Sequence, residues 1–174
     1  MARAFRISGR QLFISDVVAQ KDAIEKALLL SFSHDNPNYN ADFVGMTVAE
    51  VNDLKEARLN ESEMTHSLIL LAAIEAKIRA DANTRHVNRY KDPLSRKIRA
   101  LYRDRKNIKL EDHLISARTE VEPQNKRFYD ELRRALKYRH WLAHGRYWTM
   151  PNAFDFTQIA LIISNLESNS NFYG

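Results

Sequence analysis

The stretch from Ser67 to Ile78, SLILLAAIEAKI, is apolar almost all the way round a helix. A helix without a broad polar face belongs at the centre of a bundle, covered by neighbouring elements. The stretch contains Glu75 and Lys77 and is too short to span a bilayer, so it reads as a core helix of a soluble protein. A carboxylate at position 75 needs a cation, a hydrogen-bond donor or a proton, because unpaired burial of charge is costly.

The rest of the chain points the same way. Only four Gly and four Pro occur in 174 residues, which disfavours a turn-rich sandwich or barrel. With 44% hydrophobic and 28% charged residues, the chain has the composition of a folded domain rather than of a disordered one. The length suits one domain. We expect one all-α domain over residues 1–174, an antiparallel helical bundle without internal repeats or linkers. Residues 1–14 are expected to be a loose lead-in and residues 167–174 a loose tail.

Ser15-Asp16 marks a first helix start, followed by VVAQKDAIEKALLLSF at helical period, with Val17, Ile24 and Leu28 on its apolar side. HDNPNYN, residues 34–40, is a loop. Thr47-Val48-Ala49-Glu50 has the form of a capping box and opens a short helix. Glu61-Ser62 opens the second long helix, which runs to about Asn83. Asp92-Pro93 begins a third, DPLSRKIRALYRDRKN, and a fourth spans Leu110 to about Glu120. After Pro123, a helix from Asn125 to about Ala143 ends at Gly145, a C-terminal cap. A final helix lies near Asp155 to Leu166.

Several classes of chemistry are removed by composition. Cysteine is absent, so there is no disulfide, thiolate nucleophile or Cys-ligated zinc. The opening MARAFRISGRQLFISD is basic but has neither a continuous apolar core nor a small-residue cleavage site, so no signal peptide is expected and the protein reads as cytoplasmic. The net charge of +5 favours an acidic partner such as nucleic acid.

The helix FYDELRRALKYRHWLAHG carries the strongest signal. Phe128, Leu132, Ala135, Leu136, Leu142 and Ala143 form one apolar stripe, and Arg139 falls in its middle, seven residues beyond Leu132. A guanidinium stays charged at ordinary pH, so this placement requires an anion or strong acceptors. It snorkels from the end of the stripe, pairs with Glu75, or faces an anion-binding cleft between subunits; the last two are compatible. On an unbroken helix His144 lies about 140° from Arg139, so the two converge only where the helix ends near Gly145 or across a two-fold interface.

Other groups have two readings each. His140 and His144 are four residues apart, as metal-binding pairs are, and would need Glu111, Asp112 or His113 brought to them by the bundle. Trp141, Tyr147 and Trp148 are packing residues or base-stacking platforms. Arg96, Lys97, Arg99, Arg103, Arg105 and Lys106 form a solvated basic face or a track for RNA.

The segment RHWLAHGRYW resembles the HEPN motif, an arginine followed after four to six residues by a histidine, here Arg139-(HWLA)-His144. The apolar helix SLILLAAIEAKIRAD, the LYRD…KLEDHLISAR segment and the basic helix entering the motif are similar to prokaryotic HEPN proteins related to the partners of L-PSP endoribonuclease. The resemblance covers roughly residues 15–165. It implies a HEPN-like up-down core with additional helices, dimerising so that two motifs share a basic cleft. It implies a metal-independent endoribonuclease without cofactors, using the ribose 2′-OH as nucleophile and leaving a 2′,3′-cyclic phosphate. Such proteins often act as toxins or in phage defence, while some members bind RNA or nucleotide without cutting.

Carried onto this chain, the resemblance makes His144 the general acid or base and Arg139 the group that stabilises the scissile phosphate. Glu75 orients Arg139. His140 occupies a polar position that is Asn or Asp in many relatives. Tyr147 positions RNA or is the residue modified during neutralisation. Arg146, Lys137, Arg133 and Arg134 supply phosphate contacts at the rim. The implied partners are RNA, a second copy of the chain, and an antitoxin or other defence subunit, with no membrane.

Overall fold

Thr47 caps a helix that is longer than the sequence pattern suggests. Its hydroxyl accepts from the Glu50 backbone N–H, and the Glu50 carboxylate accepts from the Thr47 N–H at 2.7 Å, so the box closes in both directions. The computed structural model describes residues 4–6, 8, 10, 12–150 and 153–173. Among them there is no strand, and the chain is an all-α bundle.

Seven α-helices follow one another: α1 Ile14–Ser31, α2 Tyr39–Asp42, α3 Val48–Val87, α4 Pro93–Asp104, α5 Ser116–Val121, α6 Lys126–Ala143 and α7 Phe156–Asn169. The short capped helix and the second long helix expected from the sequence are a single element, α3, of 40 residues. Nothing between Val51 and Glu61 breaks it: VNDLKEARLNE has neither Gly nor Pro and is mostly composed of fair or good helix formers. At 1.5 Å per residue α3 is roughly 60 Å long.

The two halves of α3 differ in environment. The second half is the axis of the core, with Leu70, Leu71, Ile74 and Ile78 sealed from solvent. Leu94, Ile98 and Tyr102 of α4, Tyr129, Leu132 and Ala135 of α6, and Ile159, Ile163 and Leu166 of α7 close around it. In the first half, Val51 is the one buried hydrophobic residue before His66 among the described residues. There α1 runs back along α3 and reaches the core through Val17. Ile24, Leu29 and Leu30 of α1 remain exposed.

Between α4 and α5 the chain makes a wide π-type turn, Leu110–Ile115, with the Leu114 N–H reaching back five residues to the Lys109 carbonyl at 3.3 Å. The turn inserts Leu110, Leu114 and Ile115 into the core and leaves Glu111 and Asp112 facing outwards. Pro123–Asn125 form a short 3₁₀ turn before α6. Asp155 caps α7 in a second capping box with Gln158.

The C-terminal segment is docked rather than loose. Its anchor is an ion network in the core. Asp81 is 1% exposed and accepts from Arg85 Nε at 2.8 Å, from Arg118 Nη2, and from the backbone N–H of Tyr173 at 2.7 Å. Arg85 also donates to the Asn171 carbonyl at 2.7 Å and to Asp92 at 2.9 Å. The Phe172 ring covers the Arg118 guanidinium at 4.2 Å and the Tyr173 ring covers that of Arg85 at 4.4 Å. Each buried charge thus has several partners, as burial requires. The lead-in is also held at one point: the Asn83 amide accepts from the Phe5 N–H at 3.0 Å and donates to its carbonyl at 2.8 Å. Met1 to Arg3 and Gly174 lie outside the described residues.

Candidate functional site

Helix α6 delivers the motif and Gly145 ends it. Gly145 adopts φ +81° and Arg146 φ +57°, and the Arg146 N–H closes a six-residue loop onto the Trp141 carbonyl at 3.2 Å. This is the left-handed termination that glycine favours, as the sequence suggested. The chain then folds back on the helix. Trp141 Nε1 donates to the Trp148 carbonyl at 2.6 Å, and the Trp141 ring stacks on Tyr138. Trp141 is therefore half-buried packing, while Tyr147 is 81% exposed, with the Trp148 ring edge-on beside it.

Arg139 lies against α3. Its Nη2 is 3.5 Å from a Glu75 carboxylate oxygen, the pairing weighed from sequence. The contact is an ion pair without hydrogen-bond geometry, and Glu75 gives its other oxygen to Arg79 Nε at 2.9 Å. Arg139 Nε is buried and has no partner among the described residues. The guanidinium is thus held near a carboxylate, with its side chain 36% exposed and donors unused.

A cleft of about 340 Å³ opens beside it, lined by Glu75, Lys109, Glu111, Asp112, Arg139 and His140 among others. The π-type turn supplies Lys109, Glu111 and Asp112. Lys109 pairs with Asp112 at 3.0 Å, and that hydrogen bond holds the Asp112 carboxyl below the usual carboxylate range.

His140 connects Arg139 to His144. It lines the same cleft as Arg139, and its ring centroid is 4.1 Å from that of His144, which caps α6. Both imidazoles are exposed. Lys137, His140 and His144 lie three and four residues apart on one solvent-facing stripe of α6, which Arg133 extends by a turn. Arg139 points to a different side. Arg133 is engaged with Asp130 at 2.8 Å and Ser116 at 3.1 Å, whereas Lys137 is exposed.

Arg146 is occupied by α3. It makes two hydrogen bonds to the Glu61 carboxylate, at 2.7 and 3.2 Å. That pairing lowers the Glu61 pKa and raises that of Arg146. Its structural role is to tie the loop after the motif to the outer half of α3. His140 and His144 gain no third metal-ligating side chain: among the described residues no group of three His, Asp or Glu side chains converges. Glu111 and Asp112 reach the cleft rim without joining the two histidines.

The sequence pattern did not single out Lys109 or Arg79, and gave Glu61 only as a helix start, whereas it lies inside α3. The i, i+4 spacing of Glu75 and Arg79 was a readable signal. Lys109 and Glu61 come from distant segments and had none. Among the described residues, no helix is long and apolar enough to cross a membrane. Comparison with family models, with curated proteins and with solved structures finds no match for this chain.

Proposed function

We propose that the chain is a HEPN-type endoribonuclease that needs no metal, with Arg139 and His144 as its catalytic residues. The observation that carries the reading is the state of Arg139: a partly exposed guanidinium that shares its cleft with the exposed His140 and meets Glu75 without hydrogen-bond geometry. A phosphodiester oxygen supplies what that fork lacks.

In the proposed reaction one imidazole takes the proton of a ribose 2′-OH. The 2′-oxygen bonds to phosphorus, and the bond from phosphorus to the 5′-oxygen breaks. The departing 5′-oxygen receives a proton, and a 2′,3′-cyclic phosphate remains. His144 is the proton-transfer group, with a second copy of the chain supplying its own histidine across a dimer. Arg139 stabilises the charge on the phosphorane oxygens. His140, Lys137 and the exposed Tyr147 contact the strand around it. An activity of this type fits a toxin or an anti-phage effector in the cytoplasm, restrained by a partner protein.

The test is cleavage of mixed RNA in excess chelator. Wild-type protein cuts. His144→Ala loses about 10²–10⁴-fold in rate, and Arg139→Ala loses about 10²–10³-fold. A clean preparation that leaves every RNA intact overturns the reading. A second reading, a module that binds RNA or nucleotide without cutting, is favoured by Glu75, which offsets part of the charge on Arg139. Intact RNA whose gel shift weakens with salt and with Arg139→Ala selects it.

A further inference from the structure

A second cleft, of about 720 Å³, lies at the C-terminal end of α3 and shares no lining residue with the first. His86 and Arg89 line it from the end of α3 and the turn that follows, and Arg96, Arg99 and Arg103 line it from α4. We propose that this cleft is a binding site for two or more linked phosphates, independent of the Arg139 centre.

The convergence comes from two elements. Arg96, Arg99 and Arg103 are spaced i, i+3 and i+7, so they share one face of α4. The opposite face of α4 is buried through Leu94, Ile98 and Tyr102. Lys97, in the same basic run, pairs with Glu120 instead. Arg89 joins them from the turn just past the α3 C-cap Asn88, in a left-handed conformation of φ +52°.

Charge at the cleft is only partly balanced by the protein. Arg89, Arg96 and Arg99 have no carboxylate within ion-pair distance among the described residues. Arg99 donates to the Tyr90 carbonyl, and Arg103 is held by its neighbour Asp104. These cations repel one another until an anion enters. His86 adds a donor of another kind. Its ring stacks on Tyr102 at 4.2 Å, and its Nδ1 is buried and unpartnered among the described residues. Burial, then Arg99 and Arg89, push its pKa down, which keeps the imidazole neutral and able to present one N–H.

The size suits a phosphorylated small molecule, since such sites occupy roughly 300–1,000 Å³. The cleft is also open to solvent, so the phosphates of a strand can reach it. Planar guanidinium groups suit phosphate oxygens in either case. The linked phosphates therefore come from a free polyphosphate, such as a nucleoside triphosphate, or from the backbone of a single-stranded polynucleotide.

The experiment titrates the full chain with tripolyphosphate, with ATP and with a single-stranded 2′-deoxy oligonucleotide, read by calorimetry. The Arg89→Gly/Arg96→Ala double variant is compared with its parent, both carrying Arg139→Ala so that the first cleft does not contribute. Glycine at 89 relieves the left-handed strain, so loss of binding is not loss of fold, and the melting temperature verifies this. Saturable binding by the Arg139→Ala parent that falls at least about tenfold when Arg89→Gly and Arg96→Ala are added supports the site. Tripolyphosphate and ATP binding as tightly as the oligonucleotide identifies a free polyphosphate; preference for the oligonucleotide identifies a strand. Absence of saturable binding by all three probes, or binding that the double variant leaves intact, overturns the proposal. Neither result depends on RNA cleavage.

Discussion

Arg139 Nη2 sits 3.5 Å from Glu75 Oε2, while Glu75 Oε1 accepts from Arg79 Nε at 2.9 Å. One carboxylate on α3 thus serves two guanidinium groups, and the weaker contact goes to the residue of the motif. Glu75→Gln keeps the shape and removes the charge. Affinity for a non-cleavable 2′-deoxy oligonucleotide at the Arg139 cleft is then expected to rise by roughly threefold to tenfold. Stability falls by less than about 1 kcal/mol, because the groups are partly exposed. A binding titration of wild type beside Glu75→Gln measures the first effect. Unchanged or weaker binding means that Glu75 does not restrain Arg139.

The buried network around Asp81 predicts a much larger loss. Asp81→Ala leaves Arg85 and Arg118, both buried, without their shared acceptor. Breaking a buried pair from one side costs about 3–5 kcal/mol. Removing the ring that covers Arg118, by Phe172→Ala, has a smaller effect, about 1–2 kcal/mol. Denaturant unfolding of the two variants should rank them in that order, and equal midpoints would contradict it.

Tyr129 provides a test at high pH. Its hydroxyl is buried among Arg118, Glu122 and Ser170, and burial is the main reason its pKa is pushed up to about 12. The folded value exceeds the unfolded value of about 10. The contribution to stability is therefore full below pH 10 and is lost as pH rises towards 12. The loss approaches about 3 kcal/mol for a shift of this size. Burial also raises Tyr102 and Tyr138, so near-ultraviolet titration should show a late phase of several tyrosines, which Tyr129→Phe should diminish by one.

His86 behaves in the opposite sense. Burial, then Arg99 and Arg89, lower its pKa from the ordinary 6.5. Stability is full above that ordinary value and is lost as pH falls through the folded one. Arg96 and Arg103 also face the cleft, and Tyr102 lies under the ring. A phosphate ligand offsets these cations and should raise the His86 midpoint. An imidazole resonance followed by NMR with and without tripolyphosphate measures both values, and a midpoint unmoved by ligand contradicts the expectation.

Gly145 tests the end of the motif helix. A Cβ added there meets nothing within 4 Å, so the penalty of Gly145→Ala is purely conformational, about 1–2 kcal/mol. A thermal melt that does not change would show that the turn reorganises freely.

The legible parts of the sequence were those governed by neighbours along the chain. The Thr47–Glu50 box, the Asp92-Pro93 start, the Gly145 stop and the central position of SLILLAAIEAKI all depend on local spacing. Arg139 was legible because a cation within an apolar stripe demands an acceptor, and Glu75 posed the reciprocal demand. The length of α3 was missed because its outer half buries little, so apolar period gave no signal there although helix propensity did. The docked tail was missed because Asp81, Arg85 and Arg118 each look like ordinary charged helix residues. Only the fold shows that they meet. Arg146 and Glu61, 85 positions apart, offered no local cue for their pairing.

The length of α3 has a consequence for sequence change. Glu61, Glu75, Asp81, Asn83 and His86 hold the motif loop, Arg139, the tail, the lead-in and the arginine cleft, all from one unbroken rod. Inserting or deleting a single residue anywhere between them turns one set by about 100° against the other. Point substitutions are tolerated one partner at a time, whereas a change of register within this span disconnects several at once.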